Sequence, residues 1–421
     1  MTAAAQDNRG WIVTFSGTLV NTFIGILYSW SVFARFLQEN FGFTSTESQI
    51  PYMIACGVFA IMMIPGGRAQ DRLGPTKVIT AGGLCTGIGF IGSSFITTLT
   101  GLSIFFGIVF GTAMGLVYTS ATPAAVKWFG PEKRGLISGL VVAGFGGASI
   151  YTAPLAEWLI LSFGVEQAFL ILGIAFAIVT VLVAQLIKNP PEGYVPPTTA
   201  APPPEVKKKE EEMKEARKVR ADYEWHEMVK TPQFFGLWFM FCFASLAGLL
   251  IIGHLAVISV EQAGSALGFL LVAILGLFNA GGRVVAGIVS DKIGRINTML
   301  LVFGIQMINF LCFQFYVTEP LLLLGTAVCG AAYGANLTVF PATTADLFGT
   351  KNLGLNYGLV FSSWGVGGVF GGLIGGLVRD ATGTYLTAYL IAAGLLLVCI
   401  ILTFFTRKPP AAVYEEEGVG A

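Results

Sequence analysis

The sequence predicts an all-α membrane protein whose twelve transmembrane helices form two homologous six-helix bundles. Three observations carry that prediction. Of 421 residues 54% are apolar and 11% charged, whereas a water-soluble domain gives about a quarter of its residues to Asp, Glu, Lys and Arg. Uncharged stretches recur that reach the roughly 20 residues a helix needs to cross a bilayer. Motifs of the first half also return in the second at a nearly constant offset, as in a duplicated unit. The 54 glycines point to closely approaching, locally broken helices rather than to a barrel.

In chain order the expected spans fall at about 11–34, 46–66, 76–97, 101–126, 135–160 and 165–187, then 232–258, 263–289, 296–317, 320–343, 353–378 and 383–405. The first is longer than a signal-peptide core and is followed by eleven like it, so it is expected to remain in the mature protein. Residues 1–187 form the N-terminal six-helix bundle and 231–421 the C-terminal one with a cytoplasmic tail. Between them, 188–230 reads as a cytoplasmic linker, proline-rich and then of mixed charge, with a surface helix from about Pro204 to Arg220. Its charges give no nucleic-acid footprint, and no P-loop, zinc-finger or dinucleotide motif accompanies them. The six cysteines all lie in expected spans without CxxC spacing, as apolar fillers rather than metal or redox ligands.

Six spans on each side of the linker put both termini on one face. With that face cytoplasmic, all but Arg35, Arg283 and Arg379 of the 24 Lys and Arg fall in cytoplasmic segments or at their edges, which satisfies the positive-inside rule.

The duplication is explicit. "GRAQDRLGPTK", 67–77, returns as "GIVSDKIGRIN", 287–297, with Gly67, Asp71 and Gly74 matched 220 residues later by Gly287, Asp291 and Gly294. "KWFGPEKRGLISG" returns as "DLFGTKNLGLNYG" at an offset of 219. Two bundles related by an axis along the membrane normal can open a central pathway to either side in turn. On these residues the chain resembles the major facilitator superfamily, with Pro75 and Thr76 in place of the usual basic tail of its helix 2–3 loop. The resemblance implies that Gly67, Asp71, Arg72, Gly74, Gly287, Asp291, Lys292, Gly294 and Arg295 act in conformational gating. Asp71 and Asp291 stand where a carboxylate can receive helix amides or basic partners, and Gly67 and Gly74 permit close approach and tight reversal.

A closer resemblance, to the oxalate/formate antiporters and monocarboxylate transporters, is carried by "NRGWIV" (8–13), "GILYSW" (25–30), "KWFGPEKRGLISGLVVAGFG" (127–146) and the segment around Arg283. Arg283 lies eight residues inward from Asp291, about 12 Å along a helix and so near the middle of a hydrocarbon layer about 30 Å thick. A cation there costs at least about 2.5–3.5 kcal/mol, and arginine cannot escape by losing its proton. No Asp or Glu lies near the expected midplane of any span. The guanidinium therefore needs an anion, water or neutral acceptors, and its rigid fork suits a carboxylate. The resemblance implies the same role for the matching arginine.

Asn279, one turn earlier, can share that face and donate to substrate or orient the guanidinium; proton-coupled relatives carry aspartate there. The resemblance puts Tyr118 in the cavity, Tyr333 where the antiporters carry tryptophan, and Trp364 where oxalate carriers have a second cation, a lysine. Tyr28 and Trp30 belong to the matching helix 1 pattern. For each of these aromatics packing is the alternative reading. His254 is expected toward the extracellular end of helix 7, as a gate, a proton-coupling group or a neutral hydrogen-bonded residue.

Together these readings anticipate a transporter rather than an enzyme, without cofactor or metal, using alternating access to move a small monocarboxylate such as lactate or pyruvate, coupled to protons. Its expected partners are that anion, protons and membrane lipids, with no nucleic acid and no obligate protein partner indicated. Oxalate/formate-type exchange and a non-transporting anion sensor are the alternatives. The expected location is the plasma membrane, the inner membrane in a bacterium.

Overall fold

The computed structural model describes residues 3–130, 133–191, 194, 222–265, 267–349 and 352–406. The surface helix expected at Pro204–Arg220 and the tail beyond residue 406 lie outside them. Among the described residues, twelve helices long and apolar enough to span a membrane follow one another. They are α1 (Asn8–Phe41), α2 (Ser45–Leu73), α3 (Pro75–Phe95), α4 (Leu99–Val126), α5 (Leu136–Phe163) and α6 (Val165–Ala184), then α7 (Pro232–Ile252), α8 (Gly268–Ile293), α9 (Arg295–Phe313), α10 (Glu319–Phe348), α11 (Leu355–Thr382) and α12 (Leu386–Phe405). Large apolar side chains such as Phe15, Ile61, Leu161, Leu182 and Phe404 point outward uncovered, which suits a lipid-facing surface.

Local chemistry sets the ends. Thr44 caps α2 through a reciprocal bond with Glu47, and Thr231 caps α7 ahead of Pro232. Gly74 and Gly294, the duplicated glycines, both turn the chain at positive φ (81° and 87°), a conformation that L side chains adopt only with strain. The close approach expected at Gly67 falls one residue earlier. A Cβ on Gly67 would meet open space, whereas one on Gly66 would stand 2.9 Å from Thr119 Oγ1 and 3.0 Å from the Gly115 carbonyl.

Several helices depart from the single rods the sequence suggested. α1 tightens into a 3₁₀ segment at Gly25–Ser29, with Tyr28 inside it and Trp30 just beyond. The Gly25 backbone lies too close to the Phe145 carbonyl of α5 for a Cβ to fit. α7 breaks at Gly253–His254 and resumes as Leu255–Ala263, so the span expected over 232–258 is not one helix. α8 and α10 run past their expected ends to Ile293 and Phe348; Asp291 thus sits in the last turn of α8 rather than beyond it.

Within each half neighbouring helices pack as a bundle, and the halves meet chiefly through α2 against α11 and α5 against α8. Both described ends of the linker are anchored. Trp128 Nε1 donates to the Lys188 carbonyl and Tyr194 Oη to that of Trp128. At the other end Tyr223 N donates to the Phe348 carbonyl, and Asn352 and Asn356 donate to the Tyr223 carbonyl.

Candidate functional site

Three regions are defined by these packings. At the membrane face opposite the linker, the far face, the Asp380 carboxylate at the end of α11 accepts from two backbone amides at the start of α2, Ser45 N and Thr46 N, each at 2.9 Å. A carboxylate over a helix N-terminus meets both its free N–H groups and the positive end of its dipole. Gln49 Nε2 also crosses the seam to the Gly253 carbonyl at 2.9 Å. His254 belongs here, fully buried, its Nδ1 2.9 Å from the Leu250 carbonyl and its ring 5.3 Å from that of Tyr385. It stands among far-face residues, not beside Arg283.

At the linker face Arg295 gathers the C-terminal loop. It pairs with Asp291 at 2.7 Å and Asp346 at 3.3 Å and also donates to Ser290 Oγ, tying α8, α9 and α10 together. Of the other expected gating residues, Arg72 and Lys292 lie in the last turns of α2 and α8, and Asp71 is exposed in the same turn as Arg72. The N-terminal loop carries Pro75 where the C-terminal one has Arg295, so among the described residues the duplicated backbone turn is shared and the ion-pair cluster is not.

Between these faces lies the third region. Arg283 on α8 is 6% exposed. Its Nε donates to Asn279 Oδ1 at 3.1 Å, one turn back on the same helix, and its Nη1 crosses the seam to the Val142 carbonyl of α5 at 3.3 Å. Both partners are neutral. Arg283 Nη2 and Asn279 Nδ2 are buried donors without a partner. Gly146 makes this approach possible, since a Cβ there would lie 2.9 Å from Nε and 3.0 Å from both Cζ and Nη2.

Aromatic side chains from both halves surround the guanidinium. Tyr28, Tyr118 and Tyr357 lie close enough to feel its charge. Tyr28 packs edge-on to Phe145 and to Tyr333, with centroids 5.2 and 5.8 Å apart. Trp364 Nε1 donates to Tyr333 Oη at 2.6 Å, and Tyr28 Oη reaches the same oxygen at 3.4 Å. Phe59 links Tyr118, Phe145, Phe361 and Trp364. Six of the residues expected from sequence, Arg283, Asn279, Tyr118, Tyr333, Tyr28 and Trp364, are therefore brought together. Trp30 is not, packing instead on Phe33 and Phe106 with its N–H on the Ser48 carbonyl. Sequence reasoning missed Val142, Gly146, Phe59, Tyr357 and Phe361. The glycines of "AGFGG" and the turn spacing of Tyr357, Phe361 and Trp364 along α11 were the available signals.

A chain of twelve apolar helices in two packed halves, with a buried cation and an aromatic wall at their seam, is an integral multi-pass membrane protein of duplicated architecture. It belongs to the Major Facilitator Superfamily, whose family model matches residues 10–317 and 307–420. The oxalate:formate antiporter of Oxalobacter formigenes is 29% identical over 390 residues, covering 92% of this chain and 88% of that protein. Monocarboxylate transporter 13 of Rattus norvegicus is 24% identical, covering 98% and 97%. Among solved structures, a bacterial homolog of the human lysosomal transporter Spinster, inward-facing and occupied, shares the fold with a TM-score of 0.68 at 15% identity, covering 94% of this chain and 96% of that one.

Proposed function

We propose that the chain is a secondary active transporter of small monocarboxylates, lactate and pyruvate being the type, that works by alternating access and couples uptake to protons. The observation that carries this reading is the Arg283 guanidinium, buried between the halves on neutral partners with Nη2 left over. A bound carboxylate supplies the missing acceptor and the missing charge at once. Two relatives are named for oxalate, formate and monocarboxylates, which agrees with a small carboxylate as cargo.

Arg283 anchors the carboxylate and Asn279 orients the guanidinium. Tyr28, Tyr118, Tyr333 and Trp364 enclose the carbon chain. Because Arg283 also holds Val142 of the other half, a carboxylate on the guanidinium competes with a contact between the halves, which links occupancy to their rocking. The Gly67–Lys77 and Gly287–Asn297 loops gate the cytoplasmic side, where the Lys and Arg bias puts the linker and both termini. Asn279 cannot take a proton, and His254 stands at the far face. Protons therefore travel on the substrate or through His254 during opening of that face.

One guanidinium matches one carboxylate, and Trp364 offers no second charge, so monoanions are favoured over oxalate. Exchange of unlike anions is the second reading, favoured by the identity with the oxalate:formate antiporter. The test uses protein in liposomes with voltage clamped, an inward-acid gradient and no internal substrate. The account predicts gradient-driven lactate or pyruvate accumulation that outruns oxalate, and a relative gain for oxalate in Trp364→Lys. Accumulation only against a preloaded anion would replace symport with exchange, and wild-type preference for oxalate would overturn the charge count.

A further inference from the structure

We infer that the linker-face ends of α7 and α12 form a seat for an anionic glycerophospholipid, with its phosphate on Lys230 and an acyl chain in the apolar cleft beyond. The seat shares no residue with the surroundings of Arg283 and does not depend on what the protein carries.

The cleft follows from one small residue. α7 starts at Pro232, directly after the linker, and α12 ends at Phe405 on the same face. Gly236 lets the two helices approach there, since a Cβ on it would stand 3.2 Å from Thr406 Oγ1. The missing side chain leaves a floor, and Phe235, Phe239, Leu402 and Phe405 stand around it in a cleft of about 540 Å³. Phe235 and Phe239 lie one turn apart on α7 and, like Phe405, are exposed. A contiguous uncovered apolar surface of this kind marks a ligand groove or a membrane contact. On a helix that spans a bilayer its occupant is a lipid chain.

The charge at one end says which lipid. Lys230 also lines the cleft, just ahead of α7 and so at headgroup level. It is exposed, and among the described residues it pairs with no carboxylate. The two acids nearest before it in sequence are engaged elsewhere. Glu227 Oε2 accepts from Glu224 N at 2.8 Å, the Glu224 carboxylate lies 3.3 Å from His226 Nδ1, and neither residue lines the cleft. The Thr406 hydroxyl donates to the Leu402 carbonyl at 3.0 Å, which leaves Lys230 as the donor for a phosphate. Arg407 and Lys408 follow in the sequence and add positive charge after α12. A lysine can lay its apolar stem along such a wall while its ammonium stays at the interface. Basic pockets between spanning helices on the linker side suit anionic headgroups. Phosphatidylglycerol brings a net negative charge, whereas the phosphate of phosphatidylcholine carries its own cation.

The experiment takes the full chain from vesicles of equal phosphatidylglycerol and phosphatidylcholine and identifies the first retained lipid by native mass spectrometry. Phosphatidylglycerol should be retained about fivefold over phosphatidylcholine, the worth of one lysine near a membrane surface. Lys230→Gln should bring the ratio to within about twofold, and Lys230→Arg should keep it. Lys188→Gln, at an exposed cation of the same face after α6, should also leave it unchanged. Excess free glycerophosphate should not displace the lipid. Equal retention in the wild type, or an unchanged ratio in Lys230→Gln, overturns the inference. An equal fall in Lys188→Gln would show diffuse attraction to the basic face and overturn the seat, and displacement by glycerophosphate would overturn the part given to the acyl chain.

Discussion

The two halves are joined in two places by mirror-image chemistry. At the far face a C-terminal carboxylate, Asp380, holds N-terminal backbone amides; at the centre a C-terminal guanidinium, Arg283, holds an N-terminal backbone carbonyl. The first contact is complete, each Asp380 oxygen having its own amide at 2.9 Å. The second uses one weak bond of 3.3 Å and leaves Nη2 without a partner. A saturated contact holds two bodies together, whereas an unsaturated one is poised to take a further acceptor. That difference sets a contact with every acceptor used apart from one with a donor to spare.

The comparison breaks most sharply at Gly146. A Cβ there displaces the flexible end of Arg283 rather than backbone, and alanine in place of glycine favours a helix by about 0.5–1 kcal/mol. Gly146→Ala should therefore keep or raise thermal stability while weakening carboxylate affinity about tenfold or more, by analogy with the loss of one charged hydrogen bond. Binding and unfolding followed on the same preparation would check it; unchanged affinity would remove the guanidinium's close seat on α5 from the account.

A smaller effect is expected at the far face. Asp380→Asn keeps one acceptor and loses the charge over the α2 N-terminus. Asp380 is exposed, so the loss is that of a solvent-screened helix cap, about 1 kcal/mol, or roughly a fivefold shift away from the closed far face. Spin labels at Asn40 and Thr384, both exposed on that face, should report a larger population of long distances. No change would mean that apolar packing of α2 on α11 alone closes the seam.

The least is expected at Arg295. Its partners Asp291 and Asp346 are 69% and 39% exposed, and exposed pairs contribute about 0–1 kcal/mol each. Arg295→Ala should lower the unfolding midpoint by only a degree or two, on the order of the pair energies, and leave carboxylate affinity alone. A large loss of affinity would tie the linker-face loop directly to the site.

Much of this organisation was legible in the sequence because it is local or periodic. Apolar runs gave the twelve spans, the constant offset gave the two halves, and the turn between Asn279 and Arg283 put both on one face. What spans the halves was not legible. Arg283 and Val142 are 141 residues apart and Ser45 and Asp380 335, so each pairing depends on how two bundles tilt against one another, which helix periodicity does not encode. The break at His254 and the tightened turn at Tyr28 are not legible for a related reason: each adjoins a contact from a distant helix, the Gln49 side chain donating to the Gly253 carbonyl and the Phe145 carbonyl pressing on Gly25.

The central claim, that Arg283 receives the carboxylate through its donor fork, is tested most directly by measuring pyruvate affinity in wild type, Arg283→Lys and Arg283→Ala at equal amounts of folded, membrane-inserted protein. The account predicts a loss of tenfold or so in the lysine variant, which keeps the charge but not the paired donors, and no detectable binding in the alanine variant. Wild-type affinity in Arg283→Ala would contradict it.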